Sequence, residues 1–178
     1  MTRAARPTLA IDVLVVSGRW KGTAKAKSIV RRAVTQAAAR TSTKGAELAI
    51  VLTDDSGIRT LNRDWRGIDK ATNVLSFPAK SVPDHLGDVV LAFETIAQEA
   101  RCEGKPFAHH LAHLAVHGFL HLVGYDHERS KDADAMERTE REILRDLAIP
   151  DPYRTAASKP RAVPRMPKQA NRARRRRS

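Results

Sequence analysis

Residues 106–123 (PFAHHLAHLAVHGFLHLV) are apolar on nearly every side, with Leu111, Leu114, Val116, Phe119, Leu120 and Leu122. An α-helix with that pattern has no face to give to water, so it is predicted to be central and buried, with other elements wrapped round it. Four histidines nevertheless form a single stripe along it: His110, His113, His117 and His121. Polar rings in such a helix need a purpose or a partner.

The second half of the stripe has a metal-binding spacing. His117, His121 and His127 (HGFLHLVGYDH) read H-x3-H-x5-H, and residues four apart on a helix share a face, so His117 and His121 aim their rings at one point. Gly124 is the natural terminator, since a left-handed backbone costs it little, and the reversal would bring His127 round as a third ligand. Three imidazoles with one open position describe a catalytic zinc site, one ion per chain, better than a closed structural one. The arrangement matches the metalloprotease pattern H-E-x-x-H-x-x-G-x-x-H except that Gly118 stands where the glutamate base belongs. Without that carboxylate a protease reading loses its proton acceptor, while the ion site stays intact. Core or interface histidines are the plain alternative, which three in this spacing weaken.

A chain of 178 residues suits one domain and an extension. Cys102 is its only cysteine, which excludes an intrachain disulfide framework, suits a reducing compartment and is read as buried filler. Residues 9–16 are too short for a secretory signal and contain Asp12, so they read as a strand. No apolar run approaches a membrane span, and a cytoplasmic protein is expected. The formal net charge of +12 is segregated. Residues 1–44 carry 10 Lys+Arg and one acid, residues 154–178 carry 10 Lys+Arg and none, and the middle is acidic. Basic flanks on an acidic centre suit a polyanion held at the edges and processed in the middle; a solvated, solubilising surface explains the charge equally well.

Periodicity supplies the remaining elements. Strands are predicted over 9–16, ended by Gly18, and over 47–53, 74–77, stopped by Pro78, and 87–93. Helices are predicted over 21–40, with Lys25, Lys27, Arg31 and Arg32 on its polar side, from a cap at Asp54–Ser56 to about Asp64, over 94–101, and over 130–147. The fold class is α+β, a single domain over 1–153 with a small mixed sheet of about four strands and about five helices, one of them the central buried helix bearing the metal ligands. Residues 154–178 hold nothing that builds a core and read as a disordered basic tail.

Two further segments join the histidines. Residues 61–78 (LNRDWRGIDKATNVLSFP) put Arg66 and Lys70 in a Gly-containing loop before a strand, and Gly87-Asp88 opens another strand. In the order N-RG-DK-TNVLSFP, GD-V, HG-LHL-GYDH the chain resembles the YbeY family of bacterial endoribonucleases, or rRNA maturation factors, over roughly residues 45–147. The resemblance implies a single-domain α+β fold, zinc on His117, His121 and His127, and a functional arginine at Arg66. It also implies cleavage of single-stranded RNA in 3′-end maturation of small-subunit rRNA and in ribosome quality control, with the ribosome or its small subunit as partner and no membrane. Ala71 departs from a proline frequent there, and the basic tail lies outside the family pattern.

In that setting His117 and Arg66 are the catalytic candidates. A metal would lower the pKa of a bound water to about 7 and polarise a phosphoryl oxygen, and the Arg66 guanidinium would grip the phosphodiester. A surface ion pair of Arg66 with Asp64 or Asp69 is the ordinary alternative. Lys70 is either a second phosphate contact or a solvated lysine. Asp88 either orients a histidine or caps a turn, Asp126 either accepts from a ligand or sits in the turn, and His113 belongs to the core or behind the ligands. A ribosome-assembly or RNA-binding factor with a mainly structural zinc is the competing reading.

Overall fold

The computed structural model describes residues 9–79, 82, 84–126 and 130–154. His127, and the tail beyond 154 with the disorder expected of it, lie outside the described residues. Among the described residues four strands, β1 (Ala10–Val15), β2 (Glu47–Thr53), β3 (Val74–Pro78) and β4 (His85–Ala92), form one mixed sheet in the order β1-β2-β4-β3. β1, β2 and β4 run parallel, and β3 returns antiparallel along β4, pairing Val74 with Leu91 and Phe77 with Asp88. Among the described residues five α-helices accompany the sheet: α1 (Ala26–Arg40), α2 (Asp55–Arg66), α3 (Phe93–Cys102), α4 (Phe107–Leu122) and α5 (Ser130–Asp146).

Strand alternation divides the apolar residues between two layers. Val89 and Leu91 of β4, with Leu48, Ile50 and Leu52 of β2, face the main core under α1, α4 and α5. Val90 and Ala92 face the other way and meet Leu75 of β3 and Ile58 of α2 in a smaller cluster. α4 packs on α1, α3, α5, β3 and β4, the central position its all-round apolar pattern predicts. Its Leu111, Phe119 and Leu120 are fully buried, each worth about 1.5–3 kcal/mol relative to exposure. The approach of α1 to α4 is close because α1 presents Ala26, Ala33, Ala37 and Ala38 beside Val30 and Val34.

Several local expectations are corrected. Gly18 opens a 3-10 turn (Gly18–Gly22), so α1 starts at Ala26 rather than at 21. That turn buries Trp20, whose indole N–H donates to the Thr53 carbonyl at 2.7 Å and ties the turn to the end of β2. Pro78 is the last residue of β3 rather than its stop, which an edge strand tolerates because no neighbour needs its missing N–H. Cys102, expected in the core, is exposed at the last position of α3, where the helix has already turned its buried face, Ile96 and Ala100, inward. Lys27, Arg31 and Arg32 are exposed on α1 as expected, and Lys25 is exposed at the cap position just before it.

Candidate active site

The histidine stripe of α4 is physically continuous. Ring centroids are 6.4 Å apart from His110 to His113, 6.4 Å from His113 to His117, and 4.7 Å from His117 to His121. At its end the Nε2 atoms of His117 and His121 come within 3.1 Å of each other. Their Nδ1 atoms are engaged behind, His117 with Glu140 Oε1 at 2.7 Å and His121 with the Tyr125 carbonyl at 3.0 Å. A carbonyl and an ionised carboxylate only accept, so Nδ1 is the donor on each ring, and a neutral ring that donates there keeps its Nε2 lone pair for a metal. Two nitrogens on one tetrahedral zinc, each at 2.0–2.1 Å, would stand ~3.3 Å apart. The donor pair fits zinc in chemistry and in spacing.

The turn after α4 helps to build this arrangement. Gly124 adopts φ +93°, a conformation costly for a side-chain-bearing residue, and the Tyr125 N–H returns to the Leu120 carbonyl at 3.0 Å. The reversal places the Tyr125 carbonyl against His121. His127, the third ligand expected from the spacing, lies outside the described residues.

Glu140 is the residue that sequence reasoning missed. It is completely buried on α5, and its Oε2 lies 3.3 Å from His113 Nε2 while its Oε1 meets His117. The Tyr153 hydroxyl donates to the same Oε2. Burial pushes the Glu140 carboxyl up, but the hydrogen bonds from His113 and His117, the charge of His113 and the Tyr153 hydroxyl outweigh it and hold the group at about 2. Burial, and then the neighbouring Glu140 carboxylate, push the Tyr153 phenol up, so it remains a donor. A signal existed in the sequence. Glu140 stands four residues after Met136 and three and four before Ile143 and Leu144, inside the apolar stripe of an otherwise charged helix.

Gly118 faces β3 and β4 rather than the histidine cluster. A Cβ there would come 2.6 Å from Val89 Cγ1 and 3.1 Å from Val74 Cγ2, so the position has no room for a glutamate. Its carbonyl accepts from Ser76 Oγ at 2.9 Å, and the Ser76 carbonyl in turn accepts from Arg66 Nη2 at 3.4 Å. Arg66 thus reaches the strand that touches the residue next to His117. It is the last residue of α2, capped by left-handed Gly67, rather than a loop residue. The ion pairs once open to it are taken by neighbours: Asp64 pairs with Arg63 and Asp69 with Arg59.

Lys70 is exposed, and its backbone carbonyl accepts from the Asn62 amide at 2.8 Å. Asp88 sits on β4, 3.7 Å from His85, with its side chain about half exposed, and among the described residues it makes no hydrogen bond to a histidine of the α4 stripe. Asp126 is exposed in the turn. His113 takes its place behind His117, on Glu140. Beside His117 opens a cleft of about 360 Å³ lined by Asn73, Glu99, His110, His113 and Tyr153 among others, in which Glu99 accepts from Asn73 and meets His110 Nε2 at 2.8 Å.

Fold and cleft together define a single-domain α+β protein whose central helix lines an open cleft with a row of histidines. The sequence pattern of the family Endoribonuclease YbeY matches residues 18–148. The chain belongs to the YbeY endoribonuclease family. It is 56% identical over 163 residues to the Endoribonuclease YbeY of Rhodopseudomonas palustris (strain BisB18), covering 86% of this chain and 96% of that one. With the Endoribonuclease YbeY of Nitrobacter hamburgensis it shares 56% identity over 155 residues, 81% of this chain and 82% of the relative. The solution structure of TM1509 from Thermotoga maritima is similar at a TM-score of 0.49 and 23% identity, over 84% of this chain and 99% of that one.

Proposed function

We propose that the chain is a zinc-dependent endoribonuclease that cuts single-stranded RNA in the cytoplasm, in 3′-end maturation of small-subunit rRNA and in ribosome quality control. The observation that carries the reading is the 3.1 Å convergence of the His117 and His121 Nε2 atoms, with both Nδ1 atoms engaged behind. His127 is the third ligand in this reading. The family relatives, named endoribonucleases, supply the substrate class. No helix among the described residues is long and apolar enough to cross a membrane.

When bound, zinc supplies Lewis acidity to a phosphoryl oxygen. The protein's own part is to hold RNA there. Arg66, at the end of α2 with its guanidinium against the Ser76 carbonyl of β3, grips the phosphodiester through that planar group, and exposed Lys70 adds attraction for a neighbouring phosphate. The side chain of His117 is 26% exposed beside the open cleft, which suits a working site better than a sealed structural one. The site of Gly118 against Val89 speaks against a protease.

The test is cleavage of a single-stranded oligoribonucleotide by the purified full chain. Cleavage should stop when the metal is chelated and return with added zinc. A fully zinc-loaded chain that binds the RNA and leaves it intact would favour the assembly-factor reading instead.

A further inference from the structure

We propose that Glu140, fixed by Tyr153, is a positioning residue that sets the tautomer and orientation of His117 for the ion; the inference rests on the zinc reading above. Glu140 has no exposure at all, in a stripe where Met136, Ile143 and Leu144 are also buried. A carboxylate in such a place is costly unless paired and hydrogen-bonded on each oxygen, and for filling the core alone an apolar side chain would serve as well. Each oxygen here has a defined partner. Oε1 takes the His117 Nδ1–H at 2.7 Å, and Oε2 takes the Tyr153 hydroxyl and faces His113 Nε2 at 3.3 Å.

The geometry assigns Glu140 to the back of the ring. It touches Nδ1 of His117, while Nε2 is the atom that meets His121, so Glu140 acts through His117 rather than on the ion or the RNA. Accepting from Nδ1–H excludes the other neutral tautomer, in which Nε2 would carry the proton and could not be a ligand. His121 has its own acceptor in the Tyr125 carbonyl, delivered by the adjacent turn. His117 lies mid-helix, where no turn can supply a carbonyl, and the Glu140 carboxylate from α5 is the acceptor instead. Tyr153 stands beyond α5, its ring 5.7 Å from that of His113 and 4.8 Å from the Arg141 guanidinium, so it reaches Glu140 from a seat held by two other side chains. The short stretch after α5 is thereby part of the site.

Zinc affinities of the full chain, Glu140→Gln and Tyr153→Phe, measured by competition with a chromophoric chelator, test this directly, with thermal melting alongside. Glu140→Gln should bind zinc ~10- to 100-fold more weakly, the range for losing such a partner, and Tyr153→Phe should shift it a few-fold in the same direction. A lowered melting temperature with zinc affinity unchanged would make Glu140 a structural residue only and overturn the proposal. Histidine ¹⁵N NMR of the zinc-free parent keeps the test open if Glu140→Gln does not fold. His117 should be the Nδ1–H tautomer, and an Nε2–H tautomer would contradict the assignment. Parent and Glu140→Gln binding zinc equally would overturn this inference alone, whereas a parent that binds none would overturn the zinc reading with it.

Discussion

Arg66 ends α2 with its guanidinium on the Ser76 carbonyl and with both nearby aspartates committed to other arginines. Its charge is therefore available to a phosphate. Arg66→Ala should retain fold and zinc while RNA cleavage falls by on the order of a hundredfold, as for loss of one electrostatic contact made in the transition state. Cleavage within a few-fold of the parent at equal zinc content would return Arg66 to the surface. The sequence exposed some residues of the site and hid others for physical reasons. His117 and His121 are legible because helical spacing alone puts them on one face. Glu140 is hidden because it comes from another helix, in a segment where carboxylates are common, and only its place between Met136 and Ile143 marks it. Gly118 was legible as a missing glutamate; its tight contact with Val89 depends on how α4 crosses the sheet, which local sequence does not specify.

At the scale of elements, α2 begins on a cap that the sequence announces. Asp54 accepts from the Gly57 N–H at 2.9 Å, and Asp54→Ala should cost about 1 kcal/mol at neutral pH, read as a lowered melting temperature. That backbone hydrogen bond, with the Ser17 hydroxyl next, lowers the Asp54 pKa below its ordinary value. A depressed carboxyl stabilises the fold fully above its unfolded pKa of about 3.9 and loses that contribution as pH falls through the lower folded value. The gap between parent and Asp54→Ala should therefore be full above about pH 5 and shrink below about pH 4. A gap that stays constant down to pH 2 would mean the charged cap is not what holds α2. Strand alternation and helical stripes made most elements readable, and β2 has the bounds the sequence suggests. The 3-10 turn was not readable, because Trp20 is held there by the end of β2, more than thirty residues away.

Across the whole molecule, net positive charge is carried by the two flanks, and Lys25, Lys27, Arg31 and Arg32 are exposed on and just before α1. Residues 154–178 add 10 Lys+Arg. A chain ending at Tyr153 keeps the hydroxyl that Glu140 uses, so it should melt as the parent does and cleave a short RNA. On long RNA its binding should weaken, with the slope of log affinity against log salt flattened by about 0.7 for each lost phosphate contact. Equal slopes for the two chains would assign the tail no contact with phosphate. A truncation that removes Tyr153 as well should behave differently, with weaker zinc binding.

The proposed metal ion is what His117 and His121 converge on. Elemental analysis of the purified chain beside a His117→Ala, His121→Ala double variant should give about one zinc per parent chain and almost none for the variant. Little zinc in the parent, or the same amount in both, would contradict the reading of the converging Nε2 atoms as a metal site.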